Sequence, residues 1–487
     1  MPQGTSAHTR LRDARNPGRR VPAGPGPQER VKARQYLVLT LTYALGYGGV
    51  VKRAAPVKTV LRRQFSSLSV YNYRVYFAGQ TVSLVGTWMQ TTGQAWLVLR
   101  MTGSPLALGT VTALQFLPIM LFTLFGGVFA DRLPKRRMLV ITQSLALLQA
   151  SVLAVLVVTG SVELWHVYVL ALFLGTINAF DGPVRQAFVV ELVGRENLVN
   201  AVALNSSIFN VARIVGPGVA GLMIAYIGLS ATFFTNAVSF IGVLGAYAAM
   251  RPAEFQVGAA RPRPVGNVFR QVGQGLGYAW KTPSLMFFFI MLSAIGTFGF
   301  NFTVVIPLVA EFVLKVGPER FGLMTSSMGA GSLVAALSLA AFGRVNTKVL
   351  ITAALAFAVL LAAVAESRSF PVTTALLFLF GICSLTFSTT INTSIQLAVP
   401  DELRGRVMSI FFLLMAGSTP IGGVITGKLA GSIGVAETLT IEAGVCALGV
   451  GVALLYRELA GRRSEAAPSE PVGKPATELV EPPARGA

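Results

Sequence analysis

Charge is what this sequence has least of. Only 12% of its 487 residues are Asp, Glu, Lys or Arg, against roughly 25% in an ordinary soluble domain, so the chain cannot cover a globule with polar surface. Histidine is nearly absent, with His8 and His166 alone, which excludes His-based metal or triad chemistry. The two cysteines, Cys383 and Cys446, both lie inside apolar runs, so neither a disulfide framework nor a zinc site is expected. No G-x-x-x-x-G-K-[ST] phosphate loop, H-E-x-x-H pair or nucleophile elbow occurs, and ATP hydrolysis or hydrolase chemistry by this chain has no support. No cofactor or metal is expected.

What the sequence has in plenty is apolar residues, 53% of the whole, in long runs without strand alternation. A hydrocarbon core of about 30 Å takes roughly 20 such residues to cross as a helix, and lipid leaves only helices or closed barrels as spanning structures. Charges, turn residues and Pro/Gly clusters delimit twelve spans, near 75–99, 105–130, 138–160, 165–190, 198–224, 230–250, 284–312, 321–342, 348–366, 372–396, 407–431 and 436–456. The expected fold class is an all-α membrane protein of twelve transmembrane helices in two six-helix halves. Residues 1–64 form a basic, mostly disordered extension with a short apolar segment at 36–51. Residues 65–250 make the first half, 251–283 a basic cytoplasmic linker, 284–456 the second half and 457–487 a disordered tail.

The net charge of +20 would point to nucleic acid in a soluble protein. Here its placement decides otherwise. With the N-terminus inside, 33 Lys and Arg fall on the inner side, 5 on the outer side and 2 within spans. This is the positive-inside rule, and it puts both termini in the cytoplasm and makes the lipid bilayer the partner, with no nucleic acid. The second half also echoes the first: a shift of 206 places Gly216, Gly221 and Gly228 on Gly422, Gly427 and Gly434, the weak internal symmetry of transporters built from two halves.

Three charges lie at membrane depth, Asp181, Arg185 and Arg213. Each is expensive there, about 2.5–3.5 kcal/mol at a helix centre on insertion scales, and should face protein or water. Asp181 and Arg185 stand one helical turn apart in the favoured order. Together the three are candidates for a proton-coupling network, in which Asp181 exchanges a proton while an arginine tunes it or holds an anionic substrate; a static ion pair is the alternative. The 206-shifted counterparts are Phe387, Ile391 and Thr419, so this cluster belongs to the first half alone. Gly182 and Pro183 between the paired charges suggest a kink.

The first span carries Gln80, Ser83, Thr87, Gln90, Thr91 and Gln94 within an arc of about 100°. Such a stripe should line a cavity or a helix interface. Asn210, Asn301, Thr389 and Thr393 are further candidates for cavity lining, though polar helix packing explains isolated residues equally well. Trp88, Trp96 and Phe77 are candidate contacts for an apolar substrate. Gly216-Pro217-Gly218 marks an expected helix bend in the fifth span.

The run Gly127-Val-Phe-Ala-Asp131-Arg132-Leu-Pro-Lys135-Arg136-Arg137 resembles the signature loop of the major facilitator superfamily, departing from it at Pro134. The stretches YFAGQTVSLVGTWMQ (76–90), FDGPVRQA (180–187), GRENLVNAVALNSSIFNVARIVGPG (194–218) and RGRVMS (404–409) resemble its transmembrane secretion effector branch, which includes enterobactin exporters and macrolide efflux pumps. Arg213-Ile-Val-Gly216-Pro217-Gly218 resembles part of the antiporter G-P motif. The resemblance implies the major facilitator fold, an alternating-access cycle and export. It also implies that Gly127, Asp131, Arg132, Lys135, Arg136 and Arg137 form a latch between the halves on the inner side. On physical grounds an Asp at a membrane boundary can face a helix N-terminus or an Arg and lose that contact when the halves part; the basic residues alone would serve as a positive-inside anchor.

The expected function is therefore secondary export of a small amphipathic molecule, a drug, macrolide or siderophore, by a proton-coupled monomer in the cytoplasmic membrane. An importer of the same fold and a non-transporting membrane binding protein stand as alternatives, since cavity polarity does not set direction.

Overall fold

A computed structural model describes residues 65–256, 268–343 and 346–466, with backbone alone for 124–132, 268–272, 342, 461 and 463–466. The N-terminal extension with its apolar segment 36–51, the middle of the linker and the end of the tail lie outside the described residues. After a short 3-10 turn at Ser66–Ser69, the helices are α1 (Tyr71–Thr102), α2 (Pro105–Arg132), α3 (Lys135–Val158), α4 (Leu164–Tyr226), α5 (Leu229–Ala249), α6 (Val268–Lys281), α7 (Pro283–Gly299), α8 (Phe302–Leu308), α9 (Pro318–Phe342), α10 (Thr347–Glu366), α11 (Phe370–Ala398), α12 (Asp401–Ile433) and α13 (Val435–Ala466).

Ten of the described segments are long and apolar enough to cross a membrane. Two further passes complete twelve. At 1.5 Å per residue the 63 residues of α4 far exceed the ~30 Å hydrocarbon core, and the helix reverses at Gly194, whose φ of 68° and ψ of 179° are non-helical. Its arms, 164–193 and 195–226, are the fourth and fifth spans. The remaining pass is α1, whose glutamines and threonines keep it below the composition of an ordinary span. Proline opens α2, α7 and α9 at positions where no amide hydrogen is needed. Outward-facing Val82, Ile141, Val169, Val359 and Leu448 are all exposed; a soluble monomer does not display apolar surface on that scale, and lipid covers it.

Both ends of the bundle are recognisable. One carries the linker and the α2–α3 turn; the other, the hairpin end, carries the turns that follow α1, α3, α4, α8, α10 and α12. Three details differ from the sequence expectation. The linker contains α6, which packs close to α12 where Gly275 meets the Arg406 carbonyl. The seventh span is discontinuous, because Phe300 and Asn301 leave helical dihedrals between α7 and α8. Finally, α13 continues to Ala466 where disorder was expected from residue 457; an Arg462–Glu458 pair at 2.6 Å on one exposed face extends the helix past the apolar run.

The halves meet by close backbone approach at the hairpin end. A methyl group on Gly221 would stand 2.5 Å from the Pro318 carbonyl oxygen, and one on Gly427 would stand 2.6 Å from that of Pro105. Gly109 lies against the Gly423 carbonyl and Gly322 against that of Pro217 in the same manner. Ser326 donates to the Ile214 carbonyl at 2.5 Å across the seam, and Trp96 stacks on Phe321 at 5.7 Å. Toward the linker end no hydrogen bond or ion pair joins the halves among the described residues.

Candidate transport cavity

The first arm of α4 turns Asp181 inward, where it is 2% exposed. Its Oδ1 accepts hydrogen bonds from Thr142 Oγ1 at 2.7 Å and Gln143 Nε2 at 2.9 Å, both from α3. Its Oδ2 accepts from Arg185 Nε at 2.9 Å and from Nη2 of the same guanidinium. Arg185 Nη1 donates to Gln80 Oε1 at 2.5 Å, and Gln80 Nε2 to the Tyr247 hydroxyl at 3.3 Å. The carboxylate thus uses both oxygens twice, the arrangement under which a buried charge is tolerated. The whole network closes within the first half.

Nearly three turns further along α1, Gln90 Nε2 donates to Gln149 Oε1 at 2.9 Å and Asn236 Nδ2 to Gln90 Oε1 at 2.6 Å. These bonds link α1, α3 and α5 and leave one face of the stripe free. Ser83, Thr87, Gln90, Thr91 and Gln94 line a cavity of about 250 Å³ that reaches Asp181 and Arg185. Thr87, Thr91 and Gln94 also border a neighbouring one of about 290 Å³ with Trp88, Phe116 and Phe209. The latter touches Thr303 of the second half. Beyond Trp88 and Thr91 a third cavity, about 100 Å³, lies between the halves against Phe302, Phe321 and Thr325. Polar groups on one wall and aromatic rings on the other suit an amphipathic molecule.

Arg213 borders the inter-half cavity, apart from the Asp181–Arg185 pair with which the sequence grouped it. Its Nε and Nη2 are buried without a hydrogen-bond partner among the described residues. The grouping failed because 213 lies on the second arm of α4, nearer the hairpin end than 185 on the first. Of the other expected lining residues, Gln80 serves the ion network, Asn210 Nδ2 donates to the Ser206 carbonyl of its own helix at 2.9 Å, and Asn301 is buried at the α7–α8 break. Thr389 and Thr393 are not among the residues around these three cavities. Trp96 belongs to the seam and Phe77 to a partly buried cluster with Tyr73.

At Gly216-Pro217-Gly218 the dihedrals stay helical, and the one non-helical residue within α4 is Gly194. The motif acts by close approach instead of by the expected break: Gly216 packs on Trp88 of α1, and Gly218 on Ser326 of α9. At the linker end, Lys135 Nζ pairs with Glu191 at 2.7 Å and Arg136 Nε donates to the Tyr247 carbonyl at 2.9 Å, while Arg137 is exposed. Both described partners lie in the first half. The side chains of Gly127, Asp131 and Arg132 are outside the described residues.

Glu191, Thr142, Gln143 and Tyr247 complete networks that pattern reading did not assemble, since their partners come from other helices. Glu442 was legible by the rule that flagged Asp181: it is a carboxylate inside the twelfth apolar run and is completely buried.

The sequence profile of a family described as transmembrane secretion effectors matches residues 63–487. The chain belongs to the transmembrane secretion effector family. Among curated relatives, the multidrug efflux pump Tap of Mycolicibacterium fortuitum is 29% identical over 374 residues, covering 74% of this chain and 90% of that one. The staphyloferrin A transporter of Staphylococcus aureus is 26% identical, covering 76% and 92%, and macrolide efflux protein A of Streptococcus pyogenes is 24% identical, covering 74% and 89%. Solved structures similar to this secretion effector include the nucleoside transporter NupG, with a TM-score of 0.63 at 14% identity over 79% of this chain and 99% of that one. An inward-facing bacterial homologue of the human lysosomal transporter Spinster has a TM-score of 0.60 at 13% identity, covering 80% and 96%. These likenesses establish the major facilitator fold, twelve helices in two halves, for a multi-pass membrane transporter.

Proposed function

We propose that this protein is a monomeric exporter, not an enzyme, that moves a small amphipathic compound across the cytoplasmic membrane by alternating access in exchange for protons. The carrying observation is the polar-and-aromatic cavity system that begins at the buried Asp181–Arg185 pair and ends between the halves at Arg213. Relatives whose names denote efflux of drugs and macrolides or transport of a siderophore support export and the substrate class. The excess of Lys and Arg toward the linker end supports a cytoplasmic placement of that end and of both termini. On that orientation, the glycine seam closes the outer end and the cycle stands inward-facing.

In this conformation the Asp181 carboxylate accepts four hydrogen bonds, so a proton enters as one of these donors withdraws: Arg185 from Oδ2, or Thr142 from Oδ1 by turning its hydroxyl to the Leu139 carbonyl. Proton uptake and rearrangement of the polar wall are then one event. Lys135, Arg136 and Arg137 with Gly127, Asp131 and Arg132 at the end of α2 form the inner latch that engages when the linker end closes. The decisive test is Asp181→Asn in proteoliposomes with an imposed pH gradient and a substrate found by a susceptibility screen. Export should lose its dependence on the gradient. Undiminished gradient dependence would remove Asp181 from the coupling mechanism.

A further inference from the structure

A second carboxylate at membrane depth lies in the other half, away from the cavities. Glu442 on α13 is 0% exposed. Its Oε1 accepts the hydroxyl hydrogen of Thr426 on α12 at 2.5 Å. Thr426 Oγ1 in turn accepts from Asn301 Nδ2 at 3.2 Å, and the same amide donates to the Thr297 carbonyl at 2.8 Å. Three donor hydrogens are therefore spent. Two acceptors remain, Glu442 Oε2 and Asn301 Oδ1, both buried and without a partner among the described residues.

Among the described residues no cation balances the carboxylate. Along α7 there is no titratable residue. Lys348 and Glu366 on α10 and Lys428 on α12 are exposed, and the Asp401, Glu402, Arg404 and Arg406 group of α12 stands at the far, linker end. Glu311, in the π-helical turn that follows α8, borders a cleft at the hairpin end. Cys446, one turn along α13, is the other titratable group at the cluster, with its sulfur 4.0 Å from the Ala294 carbonyl oxygen. A bare carboxylate held so would be far costlier than a neutral acid. A proton removes that charge and adds a donor to a cluster that has acceptors to spare.

The cluster is also built on moving parts. Asn301 sits at the break between α7 and α8, and discontinuous helices are where membrane transporters place ion sites. Gly422 packs against the Thr297 carbonyl and the Asn301 side chain, while the next residues of α12 toward the other half, Gly423 and Gly427, form the seam with α2. Movement of α12 when the seam opens therefore disturbs the donor that caps Glu442. We infer that Glu442 is a proton-binding site of the second half, occupied while the hairpin end is closed and exchanging its proton when α12 shifts on opening. Its role in transport rests on the proton-coupled reading above; its occupancy does not.

The test is infrared spectroscopy of the purified full-length protein in lipid, following the C=O stretch of protonated carboxyl groups. The band should be present near neutral pH in the wild type and in Asp181→Asn, absent in Glu442→Gln, and shifted in Thr426→Val, which keeps the acid and removes its donor. A wild type without the band, or Glu442→Gln retaining it unchanged, overturns the site. Exchange of the band in D2O should quicken several-fold in Gly221→Ala, which loosens the opposite seam without touching the cluster. Unaltered exchange in a variant whose hairpin end has demonstrably opened overturns the link to opening. Export indifferent to the pH gradient in the wild type would refute proton coupling while leaving the band to report on Glu442 by itself.

Discussion

Adding one methyl group to Gly221 or to Gly427 should open the hairpin end of the bundle. The added carbon would stand 2.5 Å from the Pro318 carbonyl oxygen or 2.6 Å from that of Pro105, where ordinary contact begins near 3.4 Å. The obstructing atom is backbone in both cases, so the helices themselves must part by most of an ångström. Overpacking of this kind costs about 1–3 kcal/mol. Because the strain exists only while the seam is closed, it enters the conformational equilibrium in full. The intrinsic preference of helices for Ala over Gly, about 1 kcal/mol, acts on closed and open states alike and cancels. Expected, then, is a shift toward the open hairpin end by a factor of about 5–150.

The measurement is the labelling rate of a cysteine at Thr92 by an impermeant maleimide, with Cys383 and Cys446 replaced. Thr92 lines the inter-half cavity and is 3% exposed, so labelling from the hairpin side reports opening. Gly417→Ala supplies the contrast, because its nearest obstacle is the flexible Met120 sulfur at 2.9 Å, which can swing aside. Equal labelling of all three alanine variants and the parent, in protein that is inserted and folded, would show that the seam does not set the conformational balance.

Three other outcomes are expected. Asp131→Asn should move the same labelling rate by weakening the inner latch, and no movement would withdraw the latch role for Asp131. Arg213→Gln should weaken export of anionic amphipathic probes such as carboxyfluorescein at least several-fold while sparing uncharged ones, since the buried Nε and Nη2 then have no counterpart to offer an anion; equal loss for both classes contradicts an anion-binding role. Deletion of residues 1–60 should leave transport in place, whereas a membrane binding module acting through its basic extension would lose its function.

Much of the fold was legible because lipid leaves a chain few options. Apolar runs of the right length, parted by charges, can only be helices. The repeat proved informative beyond its handful of glycines. Gly216 packs on the first span and Gly422 on the seventh; Gly221 meets the eighth span and Gly427 the second. Gly228 and Gly434 both hold positive φ, at 123° and 99°, so residues 206 apart do the same work in each half. The Asp181–Arg185 pair was equally readable, since both partners lie on one helix. What escaped was set by partners far away in sequence. Nothing in the local pattern aims Arg213 away from Asp181, and the break at Asn301 hides in a run whose composition suits an unbroken span, with Gly299 and Pro307 as its only signs.

The halves share a frame but divide their labour. Where the first half has Asp181 and Arg185, the second has Phe387 and Ile391, both completely buried. Phe387 lies 6.0 Å from Phe300, which continues to Phe357 at 5.7 Å and from there to Phe380 at 4.4 Å. Interlocked rings have one good arrangement, whereas a chain of hydrogen bonds from Thr142 to Tyr247 can exchange partners one at a time. In the proposed cycle, the polar wall that responds to substrate or proton is therefore in the first half, and the second supplies a stiff surface against which it works. The exception in the second half is the cluster around Glu442, placed where α12 carries the seam. The first half touches α12, which carries the Thr426 donor to Glu442, through two backbone contacts, Gly109 on Gly423 and Gly427 on Pro105, and in the proposed cycle a displacement of α12 at these contacts is what disturbs that donor.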